Sequence, residues 1–313
     1  MTRLAVVIPT RNRPEELRRL LDNLASQSRV PDQTIVIDGS DTTSECESIV
    51  ASHRHDLNIQ ISRHWPPSAA AQRNAGIALV GSDMDLVALL DDDILLDADC
   101  FEHAIRQIEN MGSEWIGFGL NPRGDHSTLA LNRFRRARLA QMMGLYFTRP
   151  GAVAPSGWHT RSLPVSTLTE VDWLTSCAVI WRVQVLRTIH FDEFFVRYSY
   201  LEDLEFSLQA RHLGRMAVLP DARYEHRPAQ GGRGSSFWFG RIEVRNRYYI
   251  VLKHGLSQRR FFCGMLIRMG LTITSIIHSP MTSVNRFVGN LIELTRLSWV
   301  KKQVYRNFQS RES

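Results

Sequence analysis

Short apolar runs that alternate with segments of helical periodicity constrain this chain more than any other feature. The runs are LAVVI (4–8), TIVID (34–38), LNIQIS (57–62) and LVALL (86–90). PEELRRLLDNLASQ (14–27) follows the first, SAAAQRNAGIALV (68–80) the third and DADCFEHAIRQIENM (97–111) the fourth. In 14–27, Leu17, Leu20, Leu21 and Leu24 fall on one helical face, with Pro14 and two glutamates in the first turn. Ser68 is placed to cap the helix over 68–80. Strands at this spacing with helical crossovers predict a mostly parallel sheet covered on both faces. Ligands of such sheets bind beyond the carboxyl ends of the strands. PTRNR (9–13), DGSD (38–41) and DDD (91–93) therefore fall along one edge and form one site.

The last of these clusters, in LVALLDDDILLD (86–97), sets three carboxylates directly behind a buried strand. Three aspartates at one point repel one another and need a counter-charge. Oxygen-rich clusters suit Mg²⁺ or Mn²⁺, which bind a couple of carboxylates and complete their shell with water and substrate phosphates. The D-x-D spacing of Asp91 and Asp93 can present two carboxylates around one turn. The same acids would also serve as a solvated helix cap. The metal reading makes the cation the counter-charge and a diphosphate its partner.

Beyond residue 120 the periodicity loosens, and 121–169 reads as loop. EVDWLTSCAVIWR (170–182) restores a strand, EDLEFSLQARHLG (202–214) is a helix ended by Gly214, and RMAVLPDARYEHRP (215–228) is a strand and turn. GGRGSS (231–236) reads as a flexible joint before helices that run to residue 313. The expected domains are 1–230 and a basic, mainly helical extension, 231–313. The net charge of +6 hides an asymmetry: 241–313 carries 13 Lys and Arg against 3 Asp and Glu, while 1–240 is net negative. A basic, apolar tail can meet anionic lipid or nucleic acid, or present a solvated face. The opening MTRLAVVIPT is too short for a signal peptide's apolar region. FFCGMLIRMGLTITSII (261–277), interrupted by Arg268, reads as buried or interfacial and not as a membrane span. Four scattered cysteines give no disulfide framework, which points to a reduced cytosolic compartment.

The ordered series VVIPTRNR, IVIDGSD, SAAAQRNAGI, LLDDDI, DWLTSCAVIWR, YLEDLEFSLQARHLG and YEHRP resembles the family 2 glycosyltransferases of the GT-A fold, over roughly residues 4–228. In arrangement it is most similar to the bacterial galactofuranosyl- and rhamnosyltransferase branches. GRIEVRNRYYIVLKHG (240–255) resembles the segment that follows the catalytic domain in the latter. The resemblance implies an α/β, Rossmann-like GT-A fold with a C-terminal helical extension. It implies that Pro9, Thr10 and Arg11 approach the nucleoside and that Asp38 accepts a hydrogen bond from the base. Arg73 would pair with the diphosphate or base side, a task suited to a planar guanidinium. Asp91 and Asp93 would bracket the ribose and metal, Asp91 and Asp92 would bind the nucleotide sugar, and Asp91, Asp93 and His226 would be ligands of Mn²⁺ or Mg²⁺. Asp203 would be the base, supported by Glu202. Trp173 and Thr175 would line the acceptor side.

The implied activity is inverting transfer of a sugar from a nucleotide diphosphate donor, UDP or dTDP, to a hydroxyl of a glycan or lipid-linked acceptor. Bacterial surface polysaccharide synthesis is the implied setting. The expected location is cytoplasmic, peripheral on the inner face of the membrane, with the tail against anionic lipid. A metal-dependent nucleotidyltransferase is the alternative enzyme, but it would want a Gly-rich phosphate loop where PTRNRPEEL stands. A non-catalytic basic protein binding nucleic acid or membrane is the alternative outside enzymes. No helix-turn-helix, zinc-finger or RNP pattern supports nucleic acid as a partner.

Overall fold

A computed structural model describes residues 1–124, 138–161, 164–227, 235–274 and 279–312. Most of the expected joint, residues 231–234, lies outside the described residues, as do 275–277 of the apolar segment 261–277. The chain divides into two compact units, Met1–His126 with Ser162–Gln230, and Ser127–Arg161 with Gly231–Ser313.

The first unit begins β1 (Leu4–Thr10), α1 (Pro14–Ala25), β2 (Gln33–Asp38), α2 (Ser44–Ser52), β3 (Ile59–Arg63), α3 (Ala69–Ala78) and β4 (Leu86–Leu90). It continues with β5 (Ile94–Leu96), α4 (Cys100–Glu109) and β6 (Trp115–Pro122). A short helix of the second unit, α5 (Arg138–Met142), precedes β7 (Thr169–Val171), β8 (Ala178–Arg182), α6 (Val183–Thr188), α7 (Glu202–Ala210) and β9 (Arg215–His226). The strands form one sheet in the order β3-β2-β1-β4-β8-β6-β9-β5, with β7 on β9. The expected parallel sheet is found from β3 through β4, where helical crossovers join the strands. Beyond β4 the sheet is mixed: β8 runs antiparallel to β4 and β6, while β6 and β9 are parallel.

Both faces of the sheet are covered, which explains the uninterrupted apolar runs. Leu4, Val6, Ile8, Leu86, Ala88 and Leu90 pack with the leucines of α1 and with α4. The alternate residues Ala5, Val7, Val87 and Leu89 face the other way, against Ala70 of α3 and Phe206 of α7. The polar residues that end these strands are thereby left at one edge.

Among the described residues, the second unit contains α5 and four longer helices, α8 (Ser236–Lys253), α9 (Gln258–Thr274), α10 (Pro280–Leu294) and α11 (Leu297–Glu312). Ser235 caps α8 by accepting from the Trp238 amide at 3.3 Å. Helices α8 and α10 cross at Gly240 and Gly289, where a Cβ on either glycine would collide with the partner's backbone carbonyl. Inside the unit, Glu243 accepts from Arg268 Nε at 3.1 Å and from Arg286 Nη2 at 2.8 Å. Arg241 Nε donates to buried Glu293 at 2.8 Å. Although burial opposes its charge, Arg286 and Arg268 hold the Glu243 carboxyl down to about 2.

Candidate active site

The site starts where β1 and β2 end side by side, with Thr10 and Asp38 in register and Pro9 opposite Ile37. Gln72, one turn into α3, donates Nε2 to the carbonyls of Thr10 and Ile37, at 2.9 Å each. The Ser40 amide donates to Asp38 Oδ1 at 2.8 Å, and Ser40 Oγ accepts from the Asn12 amide at 2.8 Å. Asn12 adopts the left-handed region, φ 53°, which turns the chain at the strand end. Asp38 is only 1% exposed, and its Oδ2 has no hydrogen-bond partner among the described residues. A buried acceptor left open at a strand end suits a ligand N–H. Arg11 stays exposed, 3.6 Å from Asp41.

After β4 the three aspartates diverge. The Asp91 amide donates to the Cys177 carbonyl at 3.0 Å, and Asp91 Oδ1 accepts from Arg73 Nη2 at 2.7 Å. Asp92 turns inward, accepting from Thr10 Oγ1 at 2.8 Å and from Arg13 Nη1 at 3.0 Å. Burial pushes its carboxyl up to about 7 against the pull of Arg13 and Thr10. Asp93 lies 3.5 Å from Arg13 Nη1 and 3.2 Å from His226 Nε2. The β5–β9 ladder pairs Ile94 with His226, and the Arg227 amide donates to the Asp93 carbonyl at 2.9 Å. That ladder is what sets the histidine beside the acid. Arg13 and Arg73 therefore supply counter-charge from the chain itself. Burial works against the Arg13 charge, yet Asp92, Asp93 and Asp91 outweigh it and raise its pKa.

The acids of α7 join the same network through Arg73. This buried guanidinium donates Nη1 to Glu202 Oε1 at 2.7 Å while Nη2 holds Asp91. Its charge is stabilised by Asp91 and Glu202 in spite of burial. The approach to α7 is tightly shaped, with Arg197, Ser199 and Leu201 all at positive φ. Ser199 Oγ donates to the Phe195 carbonyl at 2.8 Å and accepts from the Ala70 amide, which ties the approach to the start of α3. Asp203 is partly exposed and accepts from the Leu204 amide at 2.7 Å. Burial pushes both carboxyls up, Asp203 to about 6 and Glu202 to about 8. The Asp203 charge adds to the rise at Glu202, and Arg73 opposes it. The pair thus favours holding one proton near neutrality, an arrangement suited to general-base work.

Residues 5–151 match the model of Glycosyl transferase family 2. That match takes in just under half of the chain. The chain's curated relatives include the poly(ribitol-phosphate) beta-N-acetylglucosaminyltransferase TarS of Staphylococcus aureus (strain Mu50 / ATCC 700699), 22% identical over 243 residues. That alignment takes in 75% of this chain but 37% of TarS. Among solved structures, S. aureus TarS 1–349 in complex with UDP-GlcNAc matches with a TM-score of 0.56 at 18% identity, over 91% of this chain and 79% of the other. The mannosyltransferase PcManGT from Pyrobaculum calidifontis, in complex with GDP-Man and Mn²⁺, matches at 0.54 and 15% identity, over 98% and 83%. GalNAc-T7 with UDP, GalNAc and Mn²⁺ matches at 0.58 and 12% identity, over 80% and 48%. These likenesses show the GT-A fold, as the sequence pattern leads one to expect.

At this sheet edge, Asp93 and His226 offer a carboxylate and an imidazole side by side, a donor pair that fits Mn²⁺ or Mg²⁺ completed by water and phosphate. Asp91 is held by Arg73, and among the described residues no group of three or more acids, histidines and cysteines converges on one point. Trp173 is 5% exposed, so most of its ring is covered by protein. Its neighbour Leu174 exchanges hydrogen bonds with Ser207 of α7. Thr175 Oγ1 donates to Cys177 Sγ at 3.3 Å, and burial pushes that thiol up to about 12, away from thiolate chemistry. Arg13 and Gln72 were not singled out in the sequence, although both sit inside quoted clusters, PTRNR and QRNAG.

Proposed function

We propose that the chain transfers a sugar, with inversion, from a UDP or dTDP donor to a hydroxyl of a glycan or lipid-linked acceptor in bacterial surface polysaccharide synthesis. The observation that carries this reading is the Arg73 bridge, which ties the acids after β4 to the acids of α7 across one edge. Asp38 accepts from the nucleotide base, and Thr10 and Arg11 flank the nucleoside. Asp93 and His226, with Asp91 once released from Arg73, would hold a divalent cation, which would supply positive charge to the diphosphate. Asp203 takes the proton from the acceptor hydroxyl. The acceptor oxygen bonds to the anomeric carbon as the bond to the diphosphate oxygen breaks, and the nucleoside diphosphate leaves. Attack opposite the leaving group with a single base inverts that centre. Glu202, gripped by Arg73, fixes the start of α7 and the position of Asp203.

The TarS structure with UDP-GlcNAc favours UDP as the donor nucleotide, and the PcManGT and GalNAc-T7 structures with Mn²⁺ favour the cation. Residues 1–230 act as the catalytic domain, and 231–313 as a basic extension that holds the enzyme at an anionic cytoplasmic leaflet near a lipid-linked acceptor. Calorimetric titration of UDP, dTDP, GDP and CDP, with and without Mn²⁺, tests the reading on wild type and Asp93→Ala. The expected result is tight binding of one nucleotide that needs both the cation and Asp93. Binding of none of the four in a metal-dependent way overturns it.

A further inference from the structure

The outward faces of α9 and α10 are built the wrong way round for water. Residues 261–274 and 280–294 contain three charged side chains, Arg268, Arg286 and Glu293. All three turn inward, Arg268 and Arg286 onto Glu243 and Glu293 onto Arg241. What α10 presents to solvent is an apolar row, Met281, Val284, Val288 and Leu291, at spacings of three, four and three and with Met281 75% exposed, beside the uncharged Thr282 and Asn285. Helix α9, which packs on α10, presents Phe262, Leu266 and Ile273, with Leu266 69% exposed. A surface helix normally does the reverse, with apolar residues inside and charge outside. Each helix is also too short for a span: among the described residues no helix is long and apolar enough to cross a membrane.

We propose that this two-helix face lies in the apolar boundary of an anionic lipid bilayer, as a monotopic insertion. This rests on the membrane part of the function proposed above and gives it a specific surface. Charge complementarity selects lipid over a second copy of the chain. Of the three acids in 241–313, Glu243 and Glu293 are consumed inside by arginines, and the third is Glu312. Exposed charge at the start of the face is basic, Arg259 and Arg260 of α9, and the helix that follows the face, α11, carries exposed Lys301 and Lys302. Anionic headgroups satisfy such residues around an apolar patch, whereas a second copy on the same face would bring like charges together.

Cys263 supplies the reporter. It is the exposed cysteine, on α9 between Phe262 and Leu266, while Cys46 and Cys100 are buried and Cys177 is half-buried. The full chain, labelled at Cys263 with an environment-sensitive fluorophore, is mixed with vesicles of phosphatidylcholine with or without phosphatidylglycerol and then floated. The expected result is flotation with the phosphatidylglycerol vesicles and a blue shift of the label. Leu266→Asp with Met281→Asp should lower partitioning at least about tenfold, because two buried apolar side chains are lost from the bilayer. Leu266→Ser with Met281→Ser keeps the test open should the aspartates unfold the chain. Flotation that both pairs leave unchanged, with the label still in water, overturns insertion but spares electrostatic attachment. Flotation with neither vesicle overturns both, and a concentration-dependent dimer abolished by Leu266→Asp would assign the face to a second copy.

Discussion

Arg73→Met is the substitution that bears most directly on the site. The guanidinium is 3% exposed and makes two charge-assisted hydrogen bonds, each 2.7 Å, to Asp91 and Glu202. Methionine keeps much of the volume over Phe191, whose ring lies 5.6 Å from the guanidinium carbon, but leaves two carboxylates without their cation. Breaking a buried pair by removing one partner costs about 3–5 kcal/mol. Glu202, already pushed up to about 8, can relieve part of that cost by taking a proton. A loss of about 3 kcal/mol is therefore expected from thermal or urea unfolding. Activity should change in a second, independent way. Arg73 lowers the pKa of Asp203, so its removal raises that carboxyl above about 6. The base role proposed for Asp203 requires its ionised form, so the acid limb of the kcat/KM profile should move to higher pH. Adding Glu202→Gln removes one orphaned acid and should restore part of the stability. A single variant within about 0.5 kcal/mol of wild type, the range of ordinary surface substitutions, with its acid limb unmoved, would refute the reasoning.

Three further outcomes follow from other groups. Asp38→Ala should weaken nucleotide binding about tenfold or more in calorimetry, the order expected for a buried charged acceptor, while the Ser40 turn loses only one bond. Asp92→Asn should flatten the pH dependence of stability. The Asp92 carboxyl is raised to about 7, so its contribution is fully present below the unfolded pKa of about 4 and is lost as pH rises through about 7. Melting temperatures across that window compare the two proteins. Glu243→Gln should destabilise the helical unit by about 3 kcal/mol, read as faster proteolysis within 235–312. Because the Glu243 carboxyl is lowered to about 2, its contribution is present above the unfolded value of about 4 and fades as pH falls toward 2.

The parallel half of the sheet was legible because both of its faces are buried. Apart from Thr34, LAVVI, TIVID and LVALL carry no polar residue until Asp38, the final residue of β2. The leucines of α1 likewise bury as their spacing predicts. Helix α2 escaped the reading because its buried residues are only Cys46, Ile49 and Val50 among acids and serines. Strand β6 escaped because it carries glycines at 117 and 119, residues that weaken a strand signal. The structure supplies the reason for the first: a Cβ on Gly117 would strike the Trp181 ring. The site was legible as a list of acids at one sheet edge. What binds those acids was not, because no local spacing reports which arginine reaches which carboxylate. The sequence reading assigned the counter-charge of DDD to a cation alone, and Arg13 and Arg73 emerge only from long-range packing.

The two halves of the sheet contribute different chemistry, and two contacts make them one site. The parallel half brings Thr10, Asp38 and the aspartates after β4, while the mixed half brings His226 at the end of β9, and α7 brings Glu202 and Asp203. The first contact is the β5–β9 ladder, which sets His226 against Asp93. The second is Arg73, which reaches from α3 to both Asp91 and Glu202. They act on different acids, so their loss should separate. Arg73→Met strips the counter-charge from Glu202 and Asp203 and should move the acid limb. His226→Ala leaves the α7 acids and their partners untouched, so it should spare that limb and weaken only cation-dependent nucleotide binding. A shift of the acid limb in His226→Ala would mean that the two contacts form a single electrostatic unit.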